Sequence, residues 1–263
     1  LGGVIKVQFN LNTGLITEVK NKCGVVSFNN GPVAVGMKMK LKEYKIRQEG
    51  IQSVLTFYYL GGVDSIRWEM TPSGLFRMSA IMLNRASGGT GFDDSFMEEN
   101  ITNLGLTFSY PENRMMGMEW FGRGPYRVWK NRIKGTNYGL WNKEYNNTIT
   151  GESFESLVYP EFKGYHANMY WATMQTKESV FSFYSESDGL FLRVFTPEEP
   201  KMRQENSMPA FPSGDISFLY EIPAIRDFKP IPHLGPNSQP ASVRIKKGDE
   251  GISMKIWFDF IPR

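Results

Sequence analysis

The chain has 263 residues, 41% of them apolar and 14% aromatic, with 30 lysines and arginines set against 27 aspartates and glutamates. A net charge of +3 spread over a mixed surface is no polyanion-binding field, which argues against a nucleic-acid partner. No apolar run reaches the roughly 18 residues of a membrane span, so no membrane partner is expected, and the lone Cys23 excludes an intrachain disulfide framework without fixing the compartment.

Along the chain the apolar period is two. VIKVQF at residues 4–9 alternates like a strand from the outset, and the NTG turn at 12–14 leads into the next. QSVLTFYYL (52–60), SIRWEM (65–70) and LFRMSAIML (75–83) follow, the last two separated by TPSG. LGLTFSY (104–110), SVFSFYS (179–185) and DISFLYEI (215–222) continue the pattern, with further turns at SDG and KKGDEG. In the closing run GISMKIWFDFIP, Ile252, Met254, Ile256, Phe258 and Phe260 share one face and Ser253, Lys255, Trp257 and Asp259 the other, as in a half-buried strand. No sustained amphipathic helix interrupts these strands, which removes a Rossmann fold or a (β/α)₈ barrel. The sequence predicts antiparallel sheets in a single all-β domain over residues 1–263, with the proline-rich loop 196–215 as an excursion within it.

The stretch MEWFGRGPYRVWKNRIKG, residues 118–135, lacks the Gly-rich spacing and strand-to-helix context of a phosphate cradle, and Pro125 removes a donor where one would be needed. It reads as a tight strand exit. Gly122 and Gly124 supply permissive backbone, Pro125 ends the pairing, and Trp120, Phe121 and Trp129 pack. The acidic run FDDSFMEEN contains Asp93, Asp94, Glu98 and Glu99 but not the spacing of a calcium loop, and reads as a solvated loop. His166, His233 and Cys23 lie too far apart in sequence for a zinc motif, and no serine elbow is present, so neither metal nor cofactor is expected.

WFGRGPYRVWKNR resembles the W-x-G-x-G-P-x-E-x-Y-x-D-R motif of the C-terminal small-chain domain of family 2 glycoside hydrolases, the β-galactosidase group. Three further stretches are similar to that family in the same order: VQFNLNTGLITEVKNKCG (7–24) to its opening strand-turn-strand, YPEFKGYHANMYWATM (159–174) to its P-Q-E-x-G segment, and PHLGPNSQPASV (232–243) to its H-x-G loop. The resemblance implies a β-supersandwich of the galactose-mutarotase-like type, with two large antiparallel sheets. It implies an accessory domain, excised from the C-terminal part of a longer hydrolase whose catalytic barrel lies elsewhere, with a galactoside-like carbohydrate and the remaining domains of the parent enzyme as partners. A periplasmic or secreted location is favoured over others, the compartment being otherwise open.

The departures from the family pattern concern charge. Where the family carries Glu and Asp after its GP, this chain has Arg127 and Asn131, keeping Arg132; where the family has Gln and Glu after its proline, this chain has Glu161 and Phe162. Arg127 and Glu161 are either a compensating pair across adjacent loops or two independent surface changes. The family's last loop carries a tryptophan reaching toward the galactose site, and Gln239 stands in that region here. The sugar-facing wall expected from these segments combines Glu161, Lys163, His166, Asn168 and Trp171 with His233 and Gln239. Two alternatives stand beside the accessory domain. One is a mutarotase-like epimerase using Glu161 and His166 as acid and base; the other is a free-standing carbohydrate-binding module. In a strand running from Gly164, Tyr165, Ala167 and Met169 would share one side and His166, Asn168 and Tyr170 the other, leaving a solvated imidazole.

Overall fold

The period-two pattern is realised as antiparallel pairing throughout. The structure is a computed structural model that describes residues 5–50, 52–84, 100–101, 103–130, 133–147, 161–198, 211–223, 243–244 and 250–262. β1 (Lys6–Asn10), β2 (Leu15–Asn21) and β3 (Gly24–Val26) form a small meander. β4 (Asn29–Val35) is followed by hairpin-connected strands β5 (Met39–Glu49), β6 (Gln52–Gly61), β7 (Val63–Met70) and β8 (Phe76–Met82). β9 (Asn100–Ile101), β10 (Leu104–Ser109), β11 (Met115–Gly124), β12 (Asn137–Glu144) and β13 (Gly164–His166) come next. The remaining strands are β14 (Trp171–Thr176), β15 (Phe181–Ser185), β16 (Phe191–Val194), β17 (Ile216–Glu221), β18 (Val243–Arg244) and β19 (Ile252–Asp259).

Two large sheets result. One has nine strands in the order β12-β11-β14-β15-β19-β8-β7-β6-β5, the other five in the order β13-β16-β17-β10-β4. The inward residues of both meet in an aromatic core. Phe28 stacks on Phe108 of β10 with ring centroids 4.6 Å apart and lies 5.7 Å from both Phe183 of β15 and Phe258 of β19. Phe218 of β17 lies edge-on to Phe183 at 5.1 Å, so rings from the two sheets interlock across the interface. The predicted alternation of the closing strand holds through its middle, with Met254, Ile256, Phe258 and Phe260 buried in this core; Ile252 is half-buried, and Asp259, expected on the solvent face, is buried as well.

The five-stranded sheet is buried on its other face as well. Tyr165, Phe191 and Leu219 form a second apolar cluster there, covered by Val128 with Trp129 and Phe211 packed against it. Residues 127–130, the chain having left the nine-stranded sheet at the end of β11, therefore cross to roof the smaller one. This roof explains a departure from the predicted alternation. Tyr165, His166 and Ala167 are all buried, because β13 has protein on both sides. The strand expected to run on from Gly164 also breaks at Asn168, whose φ of 51° is left-handed, so β13 and β14 fall in different sheets.

Phe28 is the ring at which the two sheets and the segment before β4 converge. Phe28→Ala should lower the unfolding free energy by ~3–5 kcal/mol, read from urea denaturation; a loss below ~1 kcal/mol would mean that the site collapses to refill the cavity.

Candidate functional site

At the strand exit, residues 120–125, Gly122 and Gly124 supply space rather than a positive φ. A Cβ at Gly122 would lie 2.8 Å from the Asn168 carbonyl oxygen, and one at Gly124 would lie 2.6 Å from the Trp141 indole. Both glycines thus admit close neighbours, as Arg123 N–H donates to the Ala167 carbonyl at 2.9 Å and Trp141 Nε1 donates to the Gly122 carbonyl at 3.1 Å. Tyr170 N–H closes the seam on the Phe121 carbonyl at 2.9 Å. Trp120 points into the core with its Nε1 on the Arg123 carbonyl, whereas Phe121 faces outward and is exposed rather than packed in the core.

Beyond Pro125 the chain delivers Arg127 onto residues 161–164. Arg127 donates to the Lys163 carbonyl at 3.2 Å and to Glu161 Oε1 at 3.3 Å, both side chains being largely buried. The compensating pair is therefore formed. Gly164, at φ +120°, leaves room for it: a Cβ there would stand 2.9 Å from Arg127 Cδ. Two lysines complete the cluster. Lys143 of β12 is 7% exposed, donates to the Glu161 carbonyl at 2.5 Å and lies over the Trp120 ring, 5.6 Å from its centroid. Lys163 is 3% exposed and ion-pairs with Glu112, whose Oε1 also accepts from the Tyr145 hydroxyl at 2.5 Å.

His166 is wholly buried above this cluster, its ring edge-on to Trp120 at 5.0 Å. Its Nε2 lies 3.0 Å from the Phe162 carbonyl, which only accepts, so that nitrogen carries the proton. Nδ1 has no hydrogen-bond partner among the described residues. Burial and, secondarily, the Lys143 ammonium push the imidazole down to about 3, so it is neutral at physiological pH. Burial likewise pushes the Lys143 ammonium down to about 8, against the pull of Glu161. The solvated imidazole expected from sequence is thus replaced by a dry, neutral one.

Glu161, Lys163 and His166 are brought together around one centre, but the segment 161–171 does not form one exposed wall. Lys163 and His166 face inward, while Glu161, Asn168 and Trp171 keep partial exposure. Trp171 stands on the outward face of the nine-stranded sheet, paired across the ladder with Phe121 and Tyr184. Arg132, His233, Gln239 and the acidic run 93–99 lie outside the described residues. Among the described residues no three His, Cys, Asp or Glu side chains are placed to hold a metal ion. Glu112, Lys143 and Tyr145 were not singled out in the sequence, where each is an ordinary residue of a strand or turn; Lys143 stands between Asn142 and Glu144, with no local sign that it points inward.

The chain matches the family model of the β-galactosidase small chain over residues 36–195, more than half its length. That span contains the GRGP exit, Lys143 and the 161–171 segment. A comparison with curated proteins found no match.

The buried imidazole makes stability depend on pH. Unfolded, a histidine binds its proton below about 6.5; folded, His166 stays neutral down to about 3. The unfolded state holds the extra proton between those values, so stability is full above the window and is lost as pH falls through it, by up to ~1.4 kcal/mol per pH unit. Urea midpoints measured from neutrality down to about pH 5, above most carboxylate titration, should fall less steeply in His166→Gln than in the parent chain. Parallel slopes would show that His166 is protonated in the folded state.

Proposed function

The chain belongs to the β-galactosidase small-chain family, and from that premise we propose that it is a non-catalytic accessory domain of a β-galactosidase-like hydrolase, stabilising the enzyme and lining its carbohydrate site. The observation that carries this reading is the family match across the segments that the basic cluster holds together. In the proposed wall, Glu161 and Asn168 present polar groups to sugar, while Lys163 and His166 fix the segment from beneath. His233 and Gln239, which the family resemblance adds to this wall, lie outside the described residues.

Several observations support a supporting rather than a reacting role. Retaining glycosidases need two carboxylates about 5–5.5 Å apart and free to act on the scissile bond. Here Glu161 is engaged by Arg127, and Glu112 by Lys163 and Tyr145. Acid–base chemistry on a sugar ring needs a histidine within reach of the substrate, and His166 has no accessible surface. A wall of a few hydrogen-bonding groups gains little over water, so it adds orientation more than affinity.

The 263-residue chain should not hydrolyse aryl β-galactosides above a buffer blank. Turnover that vanished in Glu112→Gln or Glu161→Gln would overturn the accessory reading. Titration with galactose, followed by amide shifts, should give a dissociation constant of ~1 mM or weaker, with shifts at Glu161 and Asn168. Micromolar binding, or shifts confined to other surfaces, would contradict the proposed wall.

A further inference from the structure

The outward face of the nine-stranded sheet carries an aromatic stripe that the core does not use. Leu140, Phe121, Trp171, Tyr184 and Trp257 lie opposite one another across β12, β11, β14, β15 and β19. Their sequence neighbours Trp120, Ala172, Phe183 and Phe258 are buried in the core, so alternation along each strand puts this row on the solvent side. Leu140 is 62% and Phe121 37% exposed, and Trp171, Tyr184 and Trp257 are half-buried. Tyr170 broadens the stripe, its ring 5.7 Å from Phe121 and 6.1 Å from Tyr138. With strands ~4.8 Å apart, the five positions span ~19 Å.

A second row runs beside the first, two residues along each strand. Asn142, Glu119 and Thr173 lie opposite one another there, and the Thr173 hydroxyl is anchored by a 2.8 Å contact to that of the buried Ser182. Flat rings next to amide, carboxylate and hydroxyl groups match a ligand with apolar faces and polar edges. Charge narrows its class. Arg123 lies over the Tyr138 ring at 4.7 Å, and Arg77 pairs with Glu69 and Glu186, the latter also accepting from Trp257 Nε1. Both signs border the stripe and compensate each other, so no surplus draws a polyanion or polycation. An apolar polypeptide laid on the stripe would desolvate the polar row without matching it. A pyranose chain offers C–H faces for the rings and hydroxyls for the row beside them.

We infer that this face is a platform for a neutral polysaccharide chain, several sugar units long, bound through Phe121, Trp171 and Tyr184. The inference takes Trp171 out of the wall expected from the sequence and joins it to Phe121 and Tyr184 on the outward face of the nine-stranded sheet; it rests on the β-galactosidase-like reading for the choice of galactan as probe. Native electrophoresis of the 263-residue chain through gels containing a soluble neutral β-galactan tests it. The parent chain should be retarded, and Trp171→Ala and Phe121→Ser should each bind about tenfold more weakly while keeping the parent's urea midpoint. Phe121 is exposed enough that its substitution spares the fold. An unretarded parent chain, or folded variants retarded like the parent, would overturn the inference. So would retardation by heparin but not galactan, equal affinity for free galactose, or self-association abolished by Leu140→Ser, which would identify a second copy as the occupant. Failure of the accessory reading appears separately, as reducing sugar released from the galactan.

Discussion

Three basic side chains, Arg127, Lys143 and Lys163, are buried within one junction of the two sheets, and the structure around them is arranged to make that burial tolerable. A buried charge without partners is strongly unfavourable. Here Glu161 and Glu112 supply the negative charge, while the Glu161 and Lys163 carbonyls and the Trp120 ring take up further donors and field. Because these partners come from β11, the turn before it and the 161–164 segment, while Lys143 itself comes from β12, satisfying the cations fixes where these pieces sit. Gly164 is part of the same requirement, since a side chain there would occupy the place of the Arg127 methylene. His166 bears the consequence: surrounded by apolar rings and cations, it remains neutral.

That junction also explains how the segment after β11, the strand next to the edge of the larger sheet, roofs the smaller one. After Gly124 the backbone turns, Val128 N–H bonds the Tyr165 carbonyl at 2.9 Å, and Trp129 packs edge-on against Tyr165. Lys130 then reaches Glu221 of β17. Arg193, buried in β16, ties down the next covering segment by donating to the carbonyls of Pro212, Ser213 and Gly214. The far face of the five-stranded sheet is therefore closed by cations on carbonyls and carboxylates as much as by apolar contact.

The all-β class was legible because long strands with one solvent face alternate cleanly, as over residues 252–258. Other elements lacked that signal. β5 carries a bulge between Leu41 and Glu43, so its apolar positions slip from one parity to the other within the strand. β12 is an edge strand containing Asn137 and Gly139, residues that favour turns. The Arg127 and Glu161 exchange was visible against the family pattern, although sequence alone left open whether the two groups meet. Burial of His166 was not legible, because its cover comes partly from residues some forty positions earlier in the chain. Nor was the role of Lys143, whose inward direction follows from the pairing of β12 with β11.

The most direct test of this account is whether Arg127 and Glu161 act as one unit. A double-mutant cycle with Arg127→Met, Glu161→Gln and the double variant, followed by urea unfolding at neutral pH, measures their coupling. The account predicts that the double variant is more stable than the summed single losses imply, with a coupling of ~1 kcal/mol or more, because each single change leaves the other charge buried without its partner. Additivity within ~0.3–0.5 kcal/mol would contradict it.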